Sequence, residues 1–128
     1  MPDAPEESNG SSDVTIFHNP SCSNSRAALG ILQEQSVNYV VVEYLKTPPA
    51  RDTLETIISK LAQPIHELVR TGDKRFVELG LDPNDYQASA PIVDLLLRHP
   101  ELMQRPVVVR GERAVIARPG DRIAEILT

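Results

Sequence analysis

The order of three short segments near the N-terminus narrows the fold more than any other feature of the chain. Val14-Thr15-Ile16-Phe17 is β-branched and aromatic and is stopped by His18-Asn19-Pro20-Ser21, which predicts a strand and then a turn. Over residues 24–35, Ala28, Ile31 and Leu32 recur at helical spacing. Residues 39–44 form a near-continuous apolar run, the pattern of a strand buried inside a sheet. Strand, helix and strand with links this short make a βαβ unit, whose two strands run parallel.

The rest of the chain extends that unit. Pro48 and Pro49 precede a second helix in which Leu54, Ile57, Ile58 and Leu61 line one face. Pro64 opens a further helical turn carrying Ile65, Leu68 and Val69, with Arg70 at its end. Residues 71–88, broken by Gly72, Gly80 and Pro83, read as short helices and loops. Ser89 and Pro91 start another helix that ends ahead of Pro100. Two valine- and alanine-rich runs then flank Arg110-Gly111-Glu112-Arg113 as a β-hairpin, and Pro119 begins a last helix with Ile123, Ile126 and Leu127 on one face. The expected class is α/β: a thioredoxin-like mixed sheet of about four strands with an inserted helical block.

At 128 residues there is room for one domain with a real core. Residues 1–13, polar and acidic without apolar periodicity, are expected to be a disordered acidic tail, and the domain to span 14–128. A net charge of −5 argues against a nucleic-acid partner bound through a basic face. No run is long enough to span a membrane, and the N-terminus lacks the apolar block of a secretory signal. A single cysteine cannot form an internal disulfide, so a reduced, cytoplasmic protein is expected. Of thirteen basic residues, three are lysines (Lys46, Lys60, Lys74) and the other ten are arginines, the side chain whose planar fork best matches oxyanions.

That cysteine, Cys22, falls where the first strand turns into the first helix. Free backbone N–H groups and the positive dipole end favour a thiolate there. Arg26 adds a positive charge one turn on, the Ser25 hydroxyl can donate to the sulfur, and His18 can point back from the strand end. A small buried cysteine fitting a tight turn is the alternative. The polar flanks Ser21, Ser23, Asn24 and Ser25 favour the reactive reading. Cys-x-x-Ser leaves no resolving cysteine in the chain, so any intermediate passes to an external thiol. Arg51, Arg98, Arg110, Arg113 and Arg122 read as solvated surface.

The run Phe17-His18-Asn19-Pro20-Ser21-Cys22-Ser23-Asn24-Ser25-Arg26 resembles the opening of the glutaredoxin-linked arsenate reductases, typically (I/V)YHNPxCxxSR. Glu43-Tyr44-Leu45-Lys46-Thr47-Pro48-Pro49 with Arg51 is similar to the YLxxPPSR stretch of that family. Leu68-Val69-Arg70 resembles its LLR, Gln104-Arg105-Pro106-Val107-Val108-Val109 its NRPIVV, and Ala117-Arg118-Pro119 its CRP. Ser23-Asn24 and the short C-terminal end resemble a chromosomal branch of the family. The resemblance implies reduction of arsenate to arsenite, with Cys22 as nucleophile and Arg70, Arg105 and Arg118 holding the oxyanion. It implies that His18, Ser25 and Arg26 lower the cysteine pKa, and that Arg105–Pro106 is cis. It further implies glutathione or another low-molecular-weight thiol as co-substrate, a glutaredoxin-type reductant as partner, and no metal or bound cofactor.

Two other functions fit parts of the pattern. An Spx-type adaptor of RNA polymerase shares the fold, but its redox-sensing members carry Cys-x-x-Cys where this chain has Ser25. A general monothiol transferase needs only Cys22 and would leave the three arginines without a task.

Overall fold

A computed structural model describes residues 13–127. Four strands form one mixed sheet: β1 (Val14–His18), β2 (Tyr39–Glu43), β3 (Val107–Arg110) and β4 (Arg113–Ile116), in the order β2-β1-β3-β4. β1 and β2 are parallel, with Ile16 opposite Val41; β3 is antiparallel to both β1 and β4. Helix α1 (Ser23–Glu34) makes the crossover from β1 to β2. Between β2 and β3 come α2 (Arg51–Lys60), α3 (Lys74–Glu78) and α4 (Ser89–Arg98) with three short 3-10 turns, and α5 (Ala124–Leu127) follows a fourth such turn. This is the thioredoxin-like arrangement with a helical insertion that the element order predicts.

Side chains alternate across the sheet, as a period of two requires. Val14, Ile16, Val108, Val115 and Ala117 pack with Ala28 and Leu32 of α1 and with Ile123 and Ile126. Phe17, Val107 and Ile116 face the other way, onto Leu54 and Ile57 of α2 and Ile92, Leu95 and Leu96 of α4. Phe76 and Tyr86 meet edge to face at 5.8 Å within this second layer. Full burial of each large aliphatic side chain contributes roughly 1.5–3 kcal/mol, so the two layers clamp the sheet from both sides.

Several expectations are corrected. β2 is an edge strand rather than an interior one, and Val41 is 37% exposed. Its apolar run arises because both faces are partly covered, Tyr39 toward the α1 layer and Val42 toward the α2 layer. Arg70 does not end a helix. It follows Val69, which bridges Met103, and its N–H donates to Leu102 O at 2.8 Å. The expected tail lies outside the described residues except for Asp13, whose N–H donates to Asn38 O and whose carboxylate faces Arg110 at 3.9 Å. Arg110 and Arg113 are not simply solvated, since both donate to the Ile126 carbonyl that α5 leaves unpaired. Arg51 is exposed, as expected, and pairs at the surface with Asp94, its Nη2 2.7 Å from the carboxylate.

Among the described residues no helix is long and apolar enough to cross a membrane.

Candidate active site

The loop from β1 to α1 is built around Asn19. Its side-chain oxygen accepts from the Ser21 N–H at 2.9 Å, its carbonyl accepts from the Cys22 N–H at 3.0 Å, and its own N–H donates to the Ser25 hydroxyl at 3.3 Å. The tight turn leaves Cys22 as the N-cap of α1, in extended conformation, with its carbonyl accepting from Arg26 N–H. The sulfur of this N-cap residue lies by the Asn24 and Ser25 N–H groups of the first turn.

Burial pushes the Cys22 thiol up, but other groups outweigh it. The Ser25 backbone N–H, the Arg105 side chain, the Asn24 backbone N–H and the Ser25 hydroxyl together bring its pKa down to about 7. Arg118 Nη1 also reaches the sulfur, at 3.7 Å, and donates to the Arg105 carbonyl at 3.0 Å. Arg105–Pro106 is cis, as the resemblance implies, and so is Arg118–Pro119.

Arg70 completes the group. Burial lowers its pKa, and the charges of Arg105 and Arg118 add to that effect while Asp73 opposes it across a 2.6 Å ion pair. Two guanidinium groups close enough for their charges to act on Arg70 make an unfavourable arrangement that a bound anion would relieve. The Arg105 Nε is buried without a hydrogen-bond partner. Arg70 and Arg118 also line an open cleft of about 470 Å³, together with Gln63, His66, Thr71 and Gln104. Arg122, expected to be surface, lines the same cleft while paired to Glu125 at 2.9 Å.

The remaining candidates divide. Ser25 is fully buried beneath Cys22. His18 is buried with an unpartnered Nδ1, and burial lowers its pKa while Glu43 and the Ser25 backbone oppose the shift and Arg26 reinforces it. The ring is therefore neutral near pH 7. Arg26 donates to Pro20 O at 3.0 Å and so holds the loop, and it is not among the groups that chiefly lower the Cys22 pKa.

Sequence reasoning missed several residues of this region. Asn19 carries the turn, and Asn24 accepts from the Gly120 N–H at 3.2 Å, tying the Arg118 segment to α1. Tyr44, fully buried, has its hydroxyl beside Asn19 and Arg105, where burial raises its pKa and the charge of Arg105 opposes. Asp73 and Gln63 are distant in sequence from Cys22, and nothing in their local pattern marks them.

The chain matches the ArsC family model over residues 17–126. It is 38% identical over 116 residues to an arsenate reductase of Neisseria meningitidis serogroup A, covering 90% of this chain and 98% of that protein. It is 34% identical over 116 residues to an arsenate reductase of Escherichia coli K12, covering 91% of this chain and 82% of the relative. The solved structure of an arsenate reductase from Vibrio cholerae superposes with a TM-score of 0.78 at 32% identity, covering 88% of this chain and 96% of that one.

Proposed function

The chain belongs to the ArsC family, and on that premise we propose that it is an oxidoreductase that reduces arsenate to arsenite through a covalent Cys22–arsenic adduct. The observation that carries this reading is that Arg105 and Arg118 both reach one thiolate-forming cysteine and that Arg70 lies within range of their charges. A thiolate approaching an oxyanion meets like-charge repulsion, and preorganised guanidinium donors offset it. The same arrangement favours an oxyanion substrate over the polymerase-adaptor and general thiol-transferase readings, neither of which needs it.

In this mechanism Cys22 enters as thiolate, held by the Ser25 and Asn24 N–H groups, the Ser25 hydroxyl and Arg105. Sulfur bonds to arsenic, and one arsenate oxygen leaves as water after protonation. An external thiolate then attacks the Cys22 sulfur. The sulfur–arsenic bond breaks with its electron pair on arsenic, so arsenite departs and a mixed disulfide remains on Cys22. A second thiol, of glutaredoxin type, reduces that disulfide and restores the enzyme. The external thiol is glutathione or another low-molecular-weight thiol, and the reduced state of a lone cysteine fits a cytoplasmic location. Selection of arsenate over phosphate rests on the redox step, since charge and shape alone admit both.

Arsenite release from arsenate and glutathione tests the proposal. Wild-type protein should produce arsenite and Cys22→Ser protein none; continued release by the serine variant would overturn the role of Cys22.

A further inference from the structure

The geometry points to Gln63 as the residue that positions Arg118. Its side chain is buried in the link after α2, and its amide clamps one residue of β4 at two points. Gln63 Nε2 donates to Ile116 O at 2.8 Å, and Ile116 N–H donates to Gln63 Oε1 at 3.1 Å. The edge of β4 away from β3 is thereby covered, a contact begun by the Leu61–Ala114 bridge and by Ala62 N–H donating to Ala114 O at 2.9 Å. The Ile116 carbonyl accepts a second hydrogen bond, from Arg118 N–H at 3.0 Å. One oxygen thus receives both the Gln63 amide and the backbone of Arg118, so Gln63, together with Ala117 N–H donating to Pro106 O at 3.0 Å, sets the plane of the Ile116–Ala117 peptide from which the Arg118 turn begins.

Arg118 is sensitive to that setting. Its Nη1 has two acceptors to meet at once, Cys22 Sγ at 3.7 Å and Arg105 O at 3.0 Å. Without Gln63, Ile116 O would lose its amide donor and Ile116 N–H its acceptor, and the Ile116–Ala117 peptide would keep only the hydrogen bonds of Ala117 N–H to Pro106 O and of Arg118 N–H to Ile116 O, each at 3.0 Å. A misplacement on the order of 1 Å at a binding group can cost up to about a hundredfold in rate. Although Gln63 lines the cleft, both polar atoms of its amide are taken up by Ile116, so it acts through Arg118. The consequence for substrate rests on the oxyanion role of Arg118 in the reading above.

A double-mutant cycle tests it. Gln63→Met keeps the length and loses both hydrogen bonds, whereas Gln63→Glu keeps an acceptor for Ile116 N–H and, when ionised, cannot donate to Ile116 O. Arsenite release gives kcat and KM. The arsenate concentration that half-protects Cys22 from iodoacetamide gives binding without turnover. Gln63→Met should raise arsenate KM and the half-protection concentration about tenfold, with a smaller fall in kcat. Gln63→Glu should fall between Gln63→Met and wild type. In an Arg118→Ala background Gln63→Met should add nothing, because a group acting only through Arg118 has no effect once Arg118 is gone.

An equal loss in both backgrounds, or a lowered melting temperature with unchanged KM and half-protection, overturns the proposal. If wild-type protein proves inactive on arsenate, the guanidinium NMR resonances of Arg118 still decide the matter. A shift or broadening in Gln63→Met supports positioning, and an unchanged spectrum overturns it.

Discussion

Arg118 Nη1 stands 3.7 Å from Cys22 Sγ although 96 residues separate them, and the same nitrogen holds the Arg105 carbonyl at 3.0 Å. One guanidinium thus joins the thiol to the backbone of a second arginine. A shift in any of the three segments involved should be felt at the sulfur.

The reactivity of Cys22 should titrate well below that of an ordinary cysteine. Its pKa is depressed to about 7, so thiolate dominates above that pH and is lost as pH falls through it. Iodoacetamide alkylation measured against pH should show its midpoint there. Ser25→Ala removes the hydroxyl donor and should move the midpoint upward. A wild-type midpoint near the unperturbed value of about 8.5 would contradict the arrangement.

Arg105 offers a buried Nε without a partner and a side chain that acts on the Cys22 thiolate. Lysine keeps the charge and loses the fork. Arg105→Lys should therefore lower kcat/KM for arsenate by about a hundredfold, the scale of losing one preorganised donor, and Arg105→Ala should in addition raise the Cys22 pKa. Steady-state kinetics and the alkylation profile check both; activity retained in Arg105→Lys would reduce Arg105 to a point charge.

Asp73 does two jobs that one substitution separates. Its Oδ1 accepts from Arg75 N–H as the N-cap of α3, while its Oδ2 pairs with Arg70 at 2.6 Å. Asp73→Asn keeps the cap and loses the ion pair. Thermal stability should change by less than about 1 kcal/mol, while arsenate KM rises as Arg70 loses its anchor. A fall in stability with unchanged KM would show the pair to be structural only.

Gly120 is required by closeness rather than by an unusual backbone angle. A Cβ there would sit 2.7 Å from both Ala27 Cβ and Asn24 O. Gly120→Ala should cost about 1–3 kcal/mol, the range of overpacking. It should also disturb the Asn24–Gly120 hydrogen bond, and with it the course of the Arg118 segment. Chemical unfolding and the Cys22 alkylation rate measure the two effects, and a neutral substitution would mean that α1 yields without resistance.

Much of the fold was legible because its signals are local. The β1-turn-α1 unit is written in a β-branched run, a Pro-Ser stop and helical spacing, and the hairpin in two valine-rich runs around Gly111, whose φ is +59°. The edge position of β2 was not legible, because a strand with two half-covered faces reads like one with two neighbours. Arg70 was misread for a similar reason. Its helical-looking neighbourhood closes as a 3-10 turn, Ile65–Leu68, and a bridge to Met103 takes over at Val69.

At the site, Cys22 and Ser25 are three residues apart on one turn, so their proximity follows from helical geometry alone. The sequence by itself therefore determined the class of fold, the place of the single cysteine at a helix start and the lack of an internal resolving thiol. Only the tertiary structure decided what surrounds that thiol. Arg70, Arg105 and Arg118 come from three separate segments, and their meeting depends on sheet order and on the pairing of 68–70 with 102–104. The turning of Arg26 toward Pro20, the pairing of Asp73 and the Gln63 clamp on Ile116 are likewise contacts of packing, set by distances in space that no spacing along the chain encodes.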